Sequence, residues 1–168
     1  LDDVRHGIVG PRATDDHPAM TPIEPIALRT FVYDQILTGG PVPSSADIGA
    51  HFGVSAADAR RALAELRIGK TVLVEEGSGE IWMAGPFSAR ETGYRVEHDG
   101  HSWWANCAWD MFGVAHLVQA PVTVETHCCD CGTPMSLRCD PSCPPPNDAG
   151  VIHFLVPARH WYDDIGFT

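Results

Sequence analysis

The hydrophobic period of this chain switches once in its first half, and the switch limits the architectures open to it. From residue 26, Ile26, Leu28, Phe31, Val32, Ile36 and Leu37 recur at roughly helical spacing. Gly39-Gly40-Pro41 ends that run. Ser44 or Ser45 caps a short helix carrying Ile48 and Phe52, which Gly53 stops. Ser55 caps a third helix, with Ala59, Ala62, Leu63 and Leu66 inward and Gly69 at its end. Thr71-Val72-Leu73-Val74 then alternates, turns at Glu76-Gly77-Ser78-Gly79 and returns as Glu80-Ile81-Trp82-Met83-Ala84. Three short helices and a hairpin predict a winged helix-turn-helix lobe over 26–84. Residues 1–25, with Pro11, Pro18, Pro22 and Pro25, read as an irregular extension.

Gly85-Pro86 marks a joint to a second unit, residues 85–168. Tyr94-Arg95-Val96-Glu97 and His101-Ser102-Trp103-Trp104 read as short strands around a turn at Asp99-Gly100. A helix is predicted from Asn106 to about Leu117, weakened by Gly113. Val122-Thr123-Val124-Glu125-Thr126 alternates as a strand, and Met135-Ser136-Leu137-Arg138 is its expected partner. Residues 139–150 contain four prolines and read as a loop, followed by a strongly apolar strand, Val151-Ile152-His153-Phe154-Leu155-Val156. The expected fold class is α+β: a winged-helix lobe beside a small mixed or antiparallel sheet.

Eleven Lys and Arg stand against 22 Asp and Glu, a formal net charge of −11. Such a surface repels phosphate backbones and argues against a nucleic-acid partner. The third helix does hold Arg60, Arg61 and Arg67, but beside Asp58 and Glu65. A scaffolding role for the lobe is therefore expected over DNA binding. No apolar run approaches the roughly 20 residues of a membrane span. Leu1-Asp2-Asp3-Val4-Arg5 does not read as a charged-then-apolar leader. A soluble, cytoplasmic protein is expected.

Chemistry concentrates in the second unit. The first 106 residues contain no cysteine, and five of the six lie between Cys128 and Cys143. A secreted disulfide scaffold would spread them, so this clustering points to thiolate chemistry. Cys107 and Asp110 are three apart, which on a helix brings their Cβ atoms within about 5–6 Å. Near a helix N-terminus the thiolate is favoured, and a soft sulfur beside a proton-carrying carboxyl is a usable pair. The alternative is a buried thiol acting as a small hydrophobe beside an ordinary capping acid. Cys128, Cys131, Cys139 and Cys143 read C-x2-C-x7-C-x3-C, four thiols at spacings a structural zinc can accept. Trp103, Trp104 and Trp109 flank Cys107 and are either core or the walls of a dry pocket. His127, His153 and His160 are the nearest histidines, read by default as ordinary imidazoles rather than ligands.

Four segments together resemble one family. Gly85-Pro86-Phe87-Ser88, Trp103-Trp104-Ala105-Asn106-Cys107-Ala108-Trp109-Asp110, Thr126-His127-Cys128-Cys129-Asp130-Cys131-Gly132 and the run from His153 to Trp161 are similar to the organomercurial (alkylmercury) lyases, MerB. The likeness runs from about residue 26 onward and includes the winged-helix lobe, which that family does not use on DNA. It implies cleavage of a carbon–mercury bond: thiolates hold the organomercurial cation, and a carboxyl group delivers a proton to carbon. Carried over by motif, Cys107 is the attacking thiol and Asp110 the proton shuttle. Trp104, Trp109 and Cys128 are implied to contact substrate, although the family's cysteine near Cys128 is usually taken as structural. The resemblance implies no required cofactor, mercury being the substrate metal. Product Hg(II) would pass to a reductase or a low-molecular-weight thiol.

The sequence departs from the family in one respect. Members place a second catalytic cysteine shortly after the segment matching 161–168, and no cysteine follows Cys143 here. The expectations are a chain lacking its C-terminal segment before a cysteine or selenocysteine, substitution by Cys128 or Cys129, or metal binding without cleavage. With one sulfur, protonolysis is expected to be slow. A missing segment would also expose an apolar edge through which the chain could dimerise. Two other functions compete. One is a non-enzymatic binder of zinc or copper through Cys128, Cys131, Cys139 and Cys143. The other is a winged-helix regulator, disfavoured by the acidic charge.

Overall fold

The computed structural model describes residues 22–68, 71–142 and 151–166. Most of the N-terminal extension, Gly69 and Cys143 lie outside them. Helix α1 (Pro25–Leu37) starts on a proline, whose missing N–H is harmless at that position. Its stripe of Leu28, Val32 and Ile36 is fully buried. Ile26, expected inward, is 81 % exposed, because it sits more than half a turn away from Leu28 around the helix. Helix α2 (Ser45–Phe52) is closed by a reciprocal box: the Asp47 N–H donates to Ser44 Oγ (3.2 Å) and the Ser44 N–H to Asp47 Oδ2 (2.9 Å). Gly53 ends it in the left-handed region, at φ 69°. Helix α3 (Ala56–Ile68) repeats the device with Ser55 and Asp58.

The strands are β1 (Val72–Val74), β2 (Ile81–Ala84), β3 (Phe87–Ser88), β4 (Arg95–His98), β5 (His101–Ala105), β6 (Val122–His127) and β7 (Pro134–Cys139). They form one antiparallel sheet in the order β1-β2-β3-β5-β4-β6-β7. With the four α-helices described, this bears out the α+β class and the antiparallel option. The sheet runs unbroken across Gly85-Pro86, since β2 pairs with the short β3 on the other side of that dipeptide. The β1–β2 hairpin is thus one edge of the same sheet that carries the cysteines.

One sheet face carries the core. The register aligns Ala84, Phe87 and Ala105, and likewise Trp103, Val96 and Val124, all of them buried. Trp103 donates from Nε1 to the Ile36 carbonyl of α1 (2.7 Å). Helix α4 (Asp110–Val118) packs against β5, β6 and β7 through Met111, Val114 and Ala115. Burying side chains of this size contributes about 1.5–3 kcal/mol each. No helix among the described residues is long and apolar enough to cross a membrane.

The strand expected at 151–156 is absent. Residues 151–154 have no regular secondary structure and 155–156 form a bend, with Val151 and Leu155 exposed, before a single 3-10 turn, Ala158–His160. Its apolar residues serve side-chain packing rather than a ladder: Phe154 and Trp161 lie 5.1 Å apart between ring centroids, and Trp161 Nε1 donates to the Val156 carbonyl.

Glu80 ties the hairpin to the helices. Its carboxylate accepts from the Ser45 N–H (2.7 Å), the Ser45 hydroxyl (2.5 Å) and Arg60 (2.9 Å). Burial alone would push its pKa up, but the bonds from Ser45 and Arg60 outweigh it and leave the group below the usual glutamate value. A carboxylate depressed in this way stabilises the fold above its unfolded pKa and loses that contribution as pH falls through the folded one. Glu80→Gln should therefore destabilise at pH 7 by about 1 kcal/mol, solvent screening having reduced the charge contribution. Urea unfolding of both proteins should show the gap closing below about pH 4.3, the ordinary glutamate value.

Candidate functional site

Helix α4 begins at Asp110, four residues later than its sequence predicts. Residues 106–107 form a bend and 108–109 a turn, and the Asp110 N–H donates to the Cys107 carbonyl (3.1 Å). Cys107 therefore lies in the turn leading into the helix rather than within it. The side chains still meet: Cys107 Sγ donates to Asp110 Oδ2 at 3.6 Å. They share a cavity of about 160 Å³ with Asn106 and Trp109. Its apolar wall comes from both ends of the chain, with Leu73 and Met83 from the β1–β2 edge and Phe154, Trp161 and Ile165 from the C-terminal segment.

The electrostatics differ from the sequence expectation of a thiolate. Burial pushes the Cys107 thiol up, and the negative charge of Asp110 pushes it further; backbone N–H groups of Asp110 and Trp109 only partly offset this. Burial likewise raises Asp110, against hydrogen bonds from the Asn106 side chain and the Cys107 thiol. Desolvation overrides the helix N-terminus, and the site favours keeping its protons. The Asn106 amide serves Asp110, and Asn106 Oδ1 is buried with no hydrogen-bond partner among the described residues. From α1, Tyr33 donates to the Gly85 carbonyl (2.7 Å), close enough to feel the Asp110 charge. Asn106 adjoins Cys107 in sequence and could have been noticed there. Tyr33 lies 77 residues from Asp110 and carries no sequence signal.

A second, larger cavity of about 740 Å³ is lined by Tyr94, Ala108, Trp109, Cys128, Cys129 and Cys139, with His127 and His153 on its wall. Trp109, 58 % exposed, borders both cavities, whereas Trp104 lines neither. Burial raises the Tyr94 phenol, and so do the charges of Cys107 and Cys129, which places it near both sulfurs. His160 lies outside both cavities and pairs with Asp163 (2.8 Å).

The expected four-thiol zinc set is divided by the β6–β7 register. Cys139 pairs with Val122 at one end of the hairpin, while Pro134 pairs with His127 next to Cys128 at the other. Five residue steps at about 3.4 Å put some 17 Å between those ends. Among the described residues, no three His, Cys, Asp or Glu side chains form a metal-holding group, and Cys143 lies outside them.

Residues 87–167, which hold both cavities' thiols, match the model of the family described as MerB: Alkylmercury lyase. This part of the chain is similar to MerB. A solved structure titled "Crystal structure of the mercury-bound form of MerB2" is similar, with a TM-score of 0.53 and 18 % identity over 70 % of this chain and 56 % of that one. That likeness supports the fold, and the chain spans little more than half of that relative. No curated protein matches. Cys107 and Asp110 both fall within the matched residues and line one cavity.

An acid raised by burial costs stability once it ionises. The cost is absent below the unfolded pKa and grows as pH rises toward and through the folded one. Asp110→Asn should accordingly raise the melting temperature at pH 7, and the gain should vanish below about pH 3.9, the ordinary aspartate value, in calorimetry across that range.

Proposed function

We propose that this chain is an organomercurial lyase in which Cys107 captures mercury and Asp110 protonates the departing carbon. The 3.6 Å contact between Cys107 Sγ and Asp110 Oδ2, inside an apolar cavity, carries this reading. The thiol's hydrogen-bond donor points at the carboxyl, so the proton released when sulfur binds mercury has an acceptor in place. Asp110 then returns it to carbon. One S–H and one C–Hg bond break, and one S–Hg and one C–H bond form, leaving a hydrocarbon and sulfur-bound Hg(II). A raised Asp110 suits this role, because it holds the proton until a more basic carbon is presented. Cavities of about 150 Å³ with apolar walls take up a benzene ring, so simple alkyl and aryl groups are suitable substrates.

Asn106 holds the carboxyl in place, and Trp109 with the C-terminal aromatic residues excludes water. Among the described residues, no other cysteine lines this cavity. One protein sulfur activates carbon less than two, so turnover should be slow and a small thiol should accelerate it as a second ligand. The helices α1–α3 and the β1–β2 hairpin act in this reading as a winged-helix scaffold that supplies Leu73 and Met83 to the wall.

The test is hydrocarbon release from methylmercury or phenylmercury, followed by gas chromatography. Cys107→Ser should lose both release and mercury retention at this site. Asp110→Ala should keep retention and lose release by about 10²–10⁴-fold, the range of general-acid catalysis. Release at the parent rate in both variants would refute the assignment.

A further inference from the structure

The turn between β6 and β7 carries chemistry that the lyase site does not use. It is a closed loop: the Cys128 N–H donates to the Thr133 carbonyl (2.9 Å) and the Gly132 N–H to the Cys128 carbonyl (2.9 Å). Gly132 takes φ +70°, which brings the chain back within so few residues. The closure sets the Cys128 and Cys131 thiols in hydrogen-bond contact, and Cys131 Sγ also meets Thr133 Oγ1 at 3.1 Å. Cys131 is exposed, while Cys128 and Cys129 line the large cavity that Trp109 borders on one side and the Cys107 cavity on the other.

We propose that the Cys128–Cys131 turn is a separate two-sulfur site for Hg(II). Coordination number separates the candidate ions. Structural zinc takes four protein ligands, and no third His, Cys, Asp or Glu joins these sulfurs among the described residues. A soft cation that prefers two sulfurs in line needs no more than the turn provides. Uptake breaks two S–H bonds, releases two protons to solvent and forms two S–Hg bonds, with no change of oxidation state. That the bound ion is the product of cleavage rests on the lyase reading; the site itself does not.

The experiment uses the full chain carrying Cys107→Ser, so that the lyase site is removed. It is titrated with mercuric chloride in the presence of a competing small thiol, desalted, and examined for mercury content and X-ray absorption. One Hg(II) per chain with two sulfur neighbours is expected. Adding Cys131→Ser or Cys128→Ser should abolish it, while adding Cys129→Ser should leave it intact. Retention after Cys131→Ser, or three or four sulfur neighbours, would overturn the proposal. If the dithiol binds mercury as described but the unsubstituted chain releases no hydrocarbon, the lyase reading fails and this one stands.

Discussion

A thiol and a carboxyl group that share one small apolar cavity cannot both ionise cheaply. Leu73, Met83, Phe154 and Trp161 line that cavity, burial disfavours either charge, and the Asp110 charge raises the Cys107 thiol further. The proton is thus retained at the Cys107–Asp110 contact, where mercury capture would release it and carbon would need it. The rest of the molecule supports this arrangement. The β1–β2 edge gives one wall, the C-terminal segment another, and the turn leading into α4 sets the spacing between sulfur and carboxyl.

The chain therefore holds two sulfur environments of opposite character. Cys107 is partly buried and favours its proton. Cys131 is exposed, and hydrogen bonds from Thr133 and Cys128 hold its thiol below the ordinary cysteine value. Tyr94 responds to the sulfurs of both Cys107 and Cys129, and Trp109 borders both cavities.

Much of this could be read from local sequence. The helices α1 to α3 followed their apolar spacing, α2 and α3 also their serine caps, and the β6–β7 hairpin followed its alternation. The Cys107–Asp110 pairing also emerged from spacing, although a turn rather than a helix produces it. Features set by long-range contact were less legible. The run at 151–156 has the composition of a strand, yet its Phe154 lines the Cys107 cavity instead. The two-residue β3 is too short to show a period, and it is what joins the hairpin edge to the rest of the sheet. The four-cysteine set looked continuous along the chain, but antiparallel pairing sends Cys139 to the far end of the hairpin. Tyr33 reaches the site only through tertiary packing.

The most direct measurement is the pH dependence of Cys107 alkylation, followed by mass spectrometry of the peptide that contains it, with and without Asp110→Asn. A shared-proton cavity predicts a midpoint above the ordinary cysteine value of about 8.5, falling when the carboxylate is removed. An ordinary midpoint that does not move on substitution would show that sulfur and carboxyl titrate independently, and the account would be wrong at its centre.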